Sequence, residues 1–165
     1  MRCILIGPLC ILIGLLSACS SLSKADLELI KADLALFQGD WVLVEYRING
    51  IDAPKEVLKE VRILFENQTF KMKPMPVSTY FANMETTWKT DKDFESAFEL
   101  GKSGKSKTIA LITEDGNEKY SMKGIYRLEH DSLTVCFSTS EELPTEFEGK
   151  PNTESRLLKM ERIKK

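Results

Sequence analysis

The sequence predicts an all-β domain, an eight-stranded antiparallel up-and-down barrel preceded by a short N-terminal helix. Three observations predict it. Apolar and polar residues alternate in short runs: Val61, Ile63 and Phe65 oppose Arg62 and Glu66, Phe70 and Met72 oppose Lys71 and Lys73, and Leu133, Val135 and Phe137 oppose Thr134 and Cys136. Compact turn sequences separate the runs, among them Asn49-Gly50, Asn67-Gln68, Asp115-Gly116-Asn117 and His130-Asp131. Strands joined to near neighbours in this way leave two exposed sheet edges unless the sheet closes on itself, and closure removes both.

The chain opens differently. Met1 to Leu16 carries one positive charge and then an almost unbroken apolar run, several residues short of the roughly 20 that a spanning helix needs. The run stops in Ser17-Ala18-Cys19 and turns polar at once, which predicts a cleavable signal over residues 1–18. Leu16-Ser17-Ala18-Cys19 resembles the bacterial lipobox. That resemblance implies a lipoprotein: acylation (palmitate among the acyl groups) on Cys19, cleavage before it, and attachment to a membrane through the N-terminal lipid. Serine rather than aspartate after the cysteine resembles lipoproteins sent to an outer membrane, so the expected place is the cell envelope, on a periplasmic or outer-surface face.

Residues 19–38 are expected to hold the anchor, a short tether and a helix. Ser23 followed by Asp26 makes a capping-box-like start, Leu27, Ile30, Leu34 and Phe37 fall on one side, and Gly39 ends the pattern. That stripe can lie on a membrane or pack against the domain, and its polar side of mixed sign favours packing. The barrel domain follows over residues 39–165, with strands expected at 40–48, 61–66, 69–73, 84–90, 107–113, 119–128, 132–138 and 155–163. Two segments depart from the pattern. Ala53 to Lys59 predicts a short helical turn capping one end. Residues 91–106 predict an insertion with a helical piece near Phe94 to Leu100, its Phe94, Phe98 and Leu100 forming a plug or a lid over the barrel mouth.

Composition narrows the function. With 42% hydrophobic and 29% charged residues the chain is an ordinary globular one. Its 23 basic and 25 acidic residues give −2, and loss of Arg2 with the leader makes this −3, so the basic excess of a nucleic-acid binder is missing. Of the four cysteines, Cys3 and Cys10 leave with the leader and Cys19 takes lipid, so Cys136 has no partner within the chain and the core alone must hold the domain.

No catalytic or metal-ligating set stands out, no cofactor is implied, and the chain is not expected to be an enzyme. The single histidine, His130, falls in a hairpin turn, six residues before the only remaining thiol, Cys136, a poor arrangement for a base and its nucleophile. Clustered soft ligands are absent from the sequence. The acids Glu141, Glu142, Glu146 and Glu148 lack EF-hand spacing, and Lys102-Ser103-Gly104-Lys105-Ser106 lacks that of a P-loop. In Pro144-Thr145-Glu146-Phe147 a structural role is favoured, with Phe147 inserted as a plug and Glu146 at the rim as the alternative.

The expected interior contains Val61, Ile63, Phe65, Phe70, Met72, Trp88, Ile109, Leu111, Tyr126, Leu133, Val135 and Leu158. Among these, Phe65, Phe70, Met72, Trp88, Ile109, Leu111, Tyr126, Val135 and Leu158 are the candidate contacts for a small apolar ligand, with Tyr126 as the polar handle. The alternative is an interaction or scaffold module for envelope proteins, its barrel filled solid by the same side chains.

Three blocks carry a resemblance. Asp33-Leu34-Ala35-Leu36-Phe37-Gln38-Gly39-Asp40-Trp41 looks like the D-L-x-x-L-Q-G-x-W opening of a lipocalin-like domain family abundant in planctomycete bacteria. Lys123 to Leu128 with Asp131 to Phe137 resembles that family's G-I-Y-x-L-x-x-D-x-L-x-x-C-F pattern, and Pro144 to Phe147 its P-T-E-F. The blocks come in the family's order. Departures are Leu143 where arginine is usual, His130 where glycine is usual, and a longer 91–106 stretch. The resemblance implies a lipocalin-like barrel with Gly39 and Trp41 packed near its closed end; it implies no activity, because the family's function is unassigned.

Overall fold

The computed structural model describes residues 22–80, 86–90, 92–115, 118–138, 140, 142–151 and 155–164. Helix α1 (Lys24–Phe37) leads into strands β1 (Gly39–Ile48) and β2 (Ile51–Asp52), a single-turn helix α2 (Lys55–Leu58), and β3 (Arg62–Glu66) and β4 (Thr69–Lys73). Strands β5 (Pro76–Tyr80) and β6 (Thr86–Thr90) come next, then β7 (Phe94–Ser103), β8 (Ser106–Asp115), β9 (Glu118–Glu129), β10 (Ser132–Ser138) and β11 (Ser155–Arg162).

Eight of these strands close into an antiparallel barrel. The order around it is β1-β3-β4-β7-β8-β9-β10-β11, and β11 returns to pair with β1 from Trp41↔Arg162 to Ile48↔Arg156. The all-β, up-and-down barrel with a leading helix is therefore the fold. Period two is visible on each wall: in β3 Ile63 and Phe65 are buried while Arg62 and Glu66 are exposed, and in β4 Phe70 and Met72 are buried between Lys71 and Lys73.

Two expectations about the strands fail together. The expected strand 84–90 is no barrel stave: Thr86–Thr90 pairs only with Pro76–Tyr80 in a separate hairpin, and residues 84 and 85 lie outside the described residues. The stave comes from the segment expected to be an insertion with a helical piece. Phe94–Ser103 is extended throughout, pairing Thr69↔Ala97 to β4 and Phe98↔Leu111 to β8. Phe94, Ser96 and Phe98 point inward and Glu95, Ala97 and Glu99 outward, so Phe94, Phe98 and Leu100 are wall residues, not a plug or lid. Spacing of four between two phenylalanines suits both periods, and the waiting edges of β4 and β8 decide for the strand.

Antiparallel connectivity sorts the barrel's ends. One end carries Gly39, the β3–β4, β7–β8 and β9–β10 turns and the C-terminus of β11, and α1 lies across it. The helix starts with a capping box between Ser23 and Asp26. Its last turn holds no basic residue, but Arg162 of β11 donates to the Gln38 carbonyl at 2.7 Å and to that of Leu36, meeting orphan carbonyls at the negative end of the helix dipole. Gln38 donates to the Leu34 and Asn67 carbonyls and accepts from the Asn67 backbone N–H at 2.6 Å, tying the helix end to the β3–β4 turn. Gly39 allows the sharp exit with φ +110°.

Phe37 is the stopper. It has no exposed surface and meets the rings of Phe65 and Tyr126 edge-on at 5.1 and 5.0 Å, with Phe98 stacked at 6.0 Å. Burying such a ring is worth roughly 1.5–3 kcal/mol. Trp41 is equally buried; its indole N–H donates to the Phe37 carbonyl at 2.9 Å and the Arg162 guanidinium covers its ring at 4.2 Å. The helix thus packs on the domain through Asp33, Leu34 and Phe37, while Ile30 of the expected stripe is half-buried and Leu27 is exposed. Among the described residues no helix is long and apolar enough to cross a membrane.

Candidate functional site

At the opposite end the barrel is open, and a cavity of about 410 Å³ enters it. Inward positions of the strands line it: Phe70 and Met72 from β4, Phe94 from β7, Leu111 and Thr113 from β8, Met122 from β9, Phe137 from β10, and Arg156 and Leu158 from β11. Tyr46 of β1 and Met75, just after β4, complete the apolar wall, and Tyr120 and Ser121 stand at its lip. Gly124 makes room for one wall residue. A Cβ there would lie 2.5 Å from the Cys136 carbonyl oxygen and 2.8 Å from the Phe137 ring, which lies over it as its cross-strand partner.

The expected contacts divide by depth. Phe70, Met72, Leu111 and Leu158 line the cavity. Phe65, Ile109, Tyr126 and Val135 are buried beneath it in the packed half of the barrel, with Val61, Ile63 and Leu133. The side chain of Trp88, on the hairpin outside the barrel, lies outside the described residues.

Tyr126 is not the polar handle of the cavity. Its hydroxyl donates to Asp33 Oδ2 of α1 at 2.7 Å, and the same oxygen accepts from Lys107 Nζ at 2.7 Å. The Asp33 side chain is only 7% exposed, so the three groups form a buried bond between plug and wall. Burial, and then the Asp33 carboxylate, push the Tyr126 phenol far above its ordinary range.

Beside the hydroxyls of Thr113, Tyr120 and Ser121, the cavity holds two polar groups that the sequence reasoning missed, Tyr46 and Arg156. Inward positions on β11 alternate as Arg156, Leu158 and Met160, and Arg156 stands nearest the mouth. Its guanidinium donates to the Tyr46 phenol, which is 3% exposed and raised above its usual pKa by burial, against the opposing pull of Arg156. The signal was present in the parity of β11, where an arginine shares the face of a leucine and a methionine.

The Pro144–Phe147 block works on the outside of the barrel. Phe147 does not plug the interior: it packs on the outward-facing Ile125, Cys136 and Leu157, beneath the Arg127 guanidinium at 5.0 Å. This covering loop corrects the expectation that the Thr134–Cys136 face is wet, since Thr134 is 5% and Cys136 0% exposed. Glu146 pairs with Lys150 at 2.6 Å, which holds its carboxyl below the usual range. Cys136 donates to the Glu148 carbonyl, and burial pushes its thiol up. His130 sits in the exposed turn at the plugged end with φ +52°.

Comparison with known proteins yields no match for this chain, whether to a family model, a curated protein or a solved structure.

Proposed function

We propose that this protein is a lipid-anchored, lipocalin-like binding protein of a bacterial envelope, which takes a small apolar ligand into the open end of its barrel and does not catalyse a reaction. The observation that carries this reading is the cavity of about 410 Å³, within the 300–1,000 Å³ typical of small-molecule sites and lined mainly by apolar side chains. A barrel that served only as a scaffold gains nothing by leaving its mouth unfilled. The packed lower half, from Phe37 to Phe98, is what the scaffold reading expects of the whole; the upper half departs from it.

Membership of the planctomycete-type lipocalin-like family belongs to the same proposal. Its support is that the residues of the resembling blocks occupy structural posts: Asp33 bonds Tyr126, Trp41 bonds Phe37, Gly124 admits Phe137, and Phe147 covers Cys136. Each post asks for the residue type found there. The non-catalytic part rests on chemistry. The Cys136 thiol is buried on the outer wall and His130 lies in a turn at the plugged end, so neither faces the cavity.

Native mass spectrometry of the full chain, extracted gently from its host, tests the binding. A retained small molecule that is lost on Leu111→Trp, which fills the cavity, is the expected result. A ligand-free protein whose stability is unchanged by Leu111→Trp would refute it, because filling a real site changes packing. For the anchor, Cys19→Ala should move the protein out of the membrane fraction; unchanged retention would end that part of the proposal.

A further inference from the structure

The cavity is lined mainly by apolar side chains, with hydroxyls from Tyr46, Thr113, Tyr120 and Ser121, and among the described residues its one charged side chain is Arg156. A guanidinium is charged at any physiological pH. Burying it in an apolar wall is costly unless something compensates it. Arg156 is partly buried and inward-facing on β11, beside Phe137 and Ile48 as cross-strand partners and one diagonal step from Tyr46. Glu45, beside Tyr46 on β1, is engaged elsewhere, pairing with Lys159 at 2.5 Å and with Arg47 at 3.6 Å. Among the described residues no carboxylate pairs with Arg156, so the compensation there is the neutral Tyr46 phenol. One phenol oxygen takes one of the five N–H donors that a guanidinium carries.

We propose that the barrel mouth takes an amphipathic carboxylate, a single apolar chain or compact ring system whose acidic head lies against Arg156 beside Tyr46 while its body lies along Phe70, Met72, Leu111 and Leu158. This rests on the binding function proposed above and specifies its ligand. A planar carboxylate matches the guanidinium fork in two parallel hydrogen bonds. The buried side chains of Phe137 and Leu158 flank Arg156, and an ion pair beside such apolar surface is stronger than one fully in water. Size argues for one chain. At about 410 Å³ the space lies at the small end of ligand sites, which suits a single-tailed acid better than a two-tailed phospholipid.

The test uses the full lipidated chain in nanodiscs of phosphatidylcholine, with empty discs subtracted. The probes are 11-(dansylamino)undecanoic acid and its methyl ester, whose emission shifts to the blue on entering an apolar site. The acid is expected to bind at least about tenfold more tightly than the ester. Arg156→Met should weaken the acid by about 10- to 100-fold, the range of a hydrogen-bonded charge, and leave the ester unchanged. Arg156→Lys should restore part of the acid's affinity. Ester binding retained by Arg156→Met reports that the barrel still folds. Equal affinity for acid and ester, unmoved by Arg156→Met, would overturn the headgroup assignment while leaving an apolar site in place. A lysophosphatidic acid that outcompetes the carboxylate would overturn it in favour of a phosphate head. If neither probe binds, the cavity is not a site for this class and the binding function itself falls.

Discussion

Removing one oxygen from Tyr126 tests how the helix is held on the barrel. In Tyr126→Phe the ring keeps its edge-on contact with Phe37 at 5.0 Å, but the 2.7 Å hydrogen bond to Asp33 is lost. Asp33 keeps Lys107, yet with 7% of its side chain exposed it has little access to water in place of the phenol. A hydrogen bond to a charged group contributes about 1.5–3 kcal/mol. For a domain of this size, that loss lowers the melting temperature by roughly 5–10 °C. Urea unfolding followed by tryptophan fluorescence measures it, since Trp41 is fully buried. The midpoint should fall with little change in slope, because the same surface is exposed on unfolding. Asp33→Asn in the Tyr126→Phe background should cost less than Asp33→Asn alone, the difference being the coupling energy. A single-mutant loss below about 0.5 kcal/mol, or a coupling indistinguishable from zero, would refute the claim that this bond fastens the plug.

The remaining predictions address other joints. Asp26 is held at a pKa of about 2, against an ordinary 3.8, chiefly by the Lys102 ammonium and then by Ser23. A lowered carboxyl pKa stabilises the fold above the unfolded value and loses that contribution as pH falls from about 3.8 through about 2; Asp26→Asn should therefore flatten the stability profile in that window, as read by circular dichroism against pH. His130, with φ +52°, is exposed in a left-handed turn, so His130→Gly should raise stability by about 0.5–1 kcal/mol in urea titration. Ala97→Pro interrupts the β4–β7–β8 ladder and should cost at least about 1–3 kcal/mol, whereas Thr87→Pro, in the hairpin outside the barrel, should change barrel stability by less than about 0.5 kcal/mol; equal losses would contradict the strand order. The Cys136 thiol, 0% exposed and raised by burial, should react with Ellman's reagent only after denaturant is added.

The barrel was legible wherever one face of a strand is wet. Val61 to Phe65 and Phe70 to Met72 show period two because water and core alternate along them, and α1 announced itself through Ser23 and Asp26. The sequence was ambiguous where two periods fit. Phe94 and Phe98 stand four apart among Glu, Ser and Ala, residues at ease in a helix, and only the unfilled edges of β4 and β8 make the segment a stave. Thr86 to Thr90 is a strand as expected, but a run of β-prone residues does not say which neighbour it pairs with. Tyr126 was expected in the cavity and Arg156 was overlooked for a related reason. Inward direction follows from parity, whereas depth along the barrel depends on how far a plug of another element reaches, and Phe37 reaches Tyr126 but not Arg156. The dry outer face of β10 was not legible, since the alternation reads Thr134 and Cys136 as its wet side and the loop that covers Cys136 does so through Phe147 and the Glu148 carbonyl.

Asymmetry between the barrel's ends follows from where the chain can supply apolar bulk. The helix lies directly before β1, so its last residue, Phe37, must fall at the end where Gly39 begins, and rings from β3, β7 and β9 converge on it there. At the other end α2 is a single turn whose Leu58 packs with the core near β1, the Pro144–Phe147 segment is spent on the outer wall, and the β5–β6 hairpin leaves the barrel between β4 and β7, so no described side chain fills the interior there as Phe37 does. A barrel of eight strands has an interior that side chains can just fill, so leaving one end without a stopper produces a cavity there. The strand ends around that opening are therefore freer to vary than the staves beneath them, because they support a rim and not a seal. Arg156 occupies one of these positions; two residues further along the same face, Leu158 is 3% exposed and Met160 0%, and a charge at either would have to displace core.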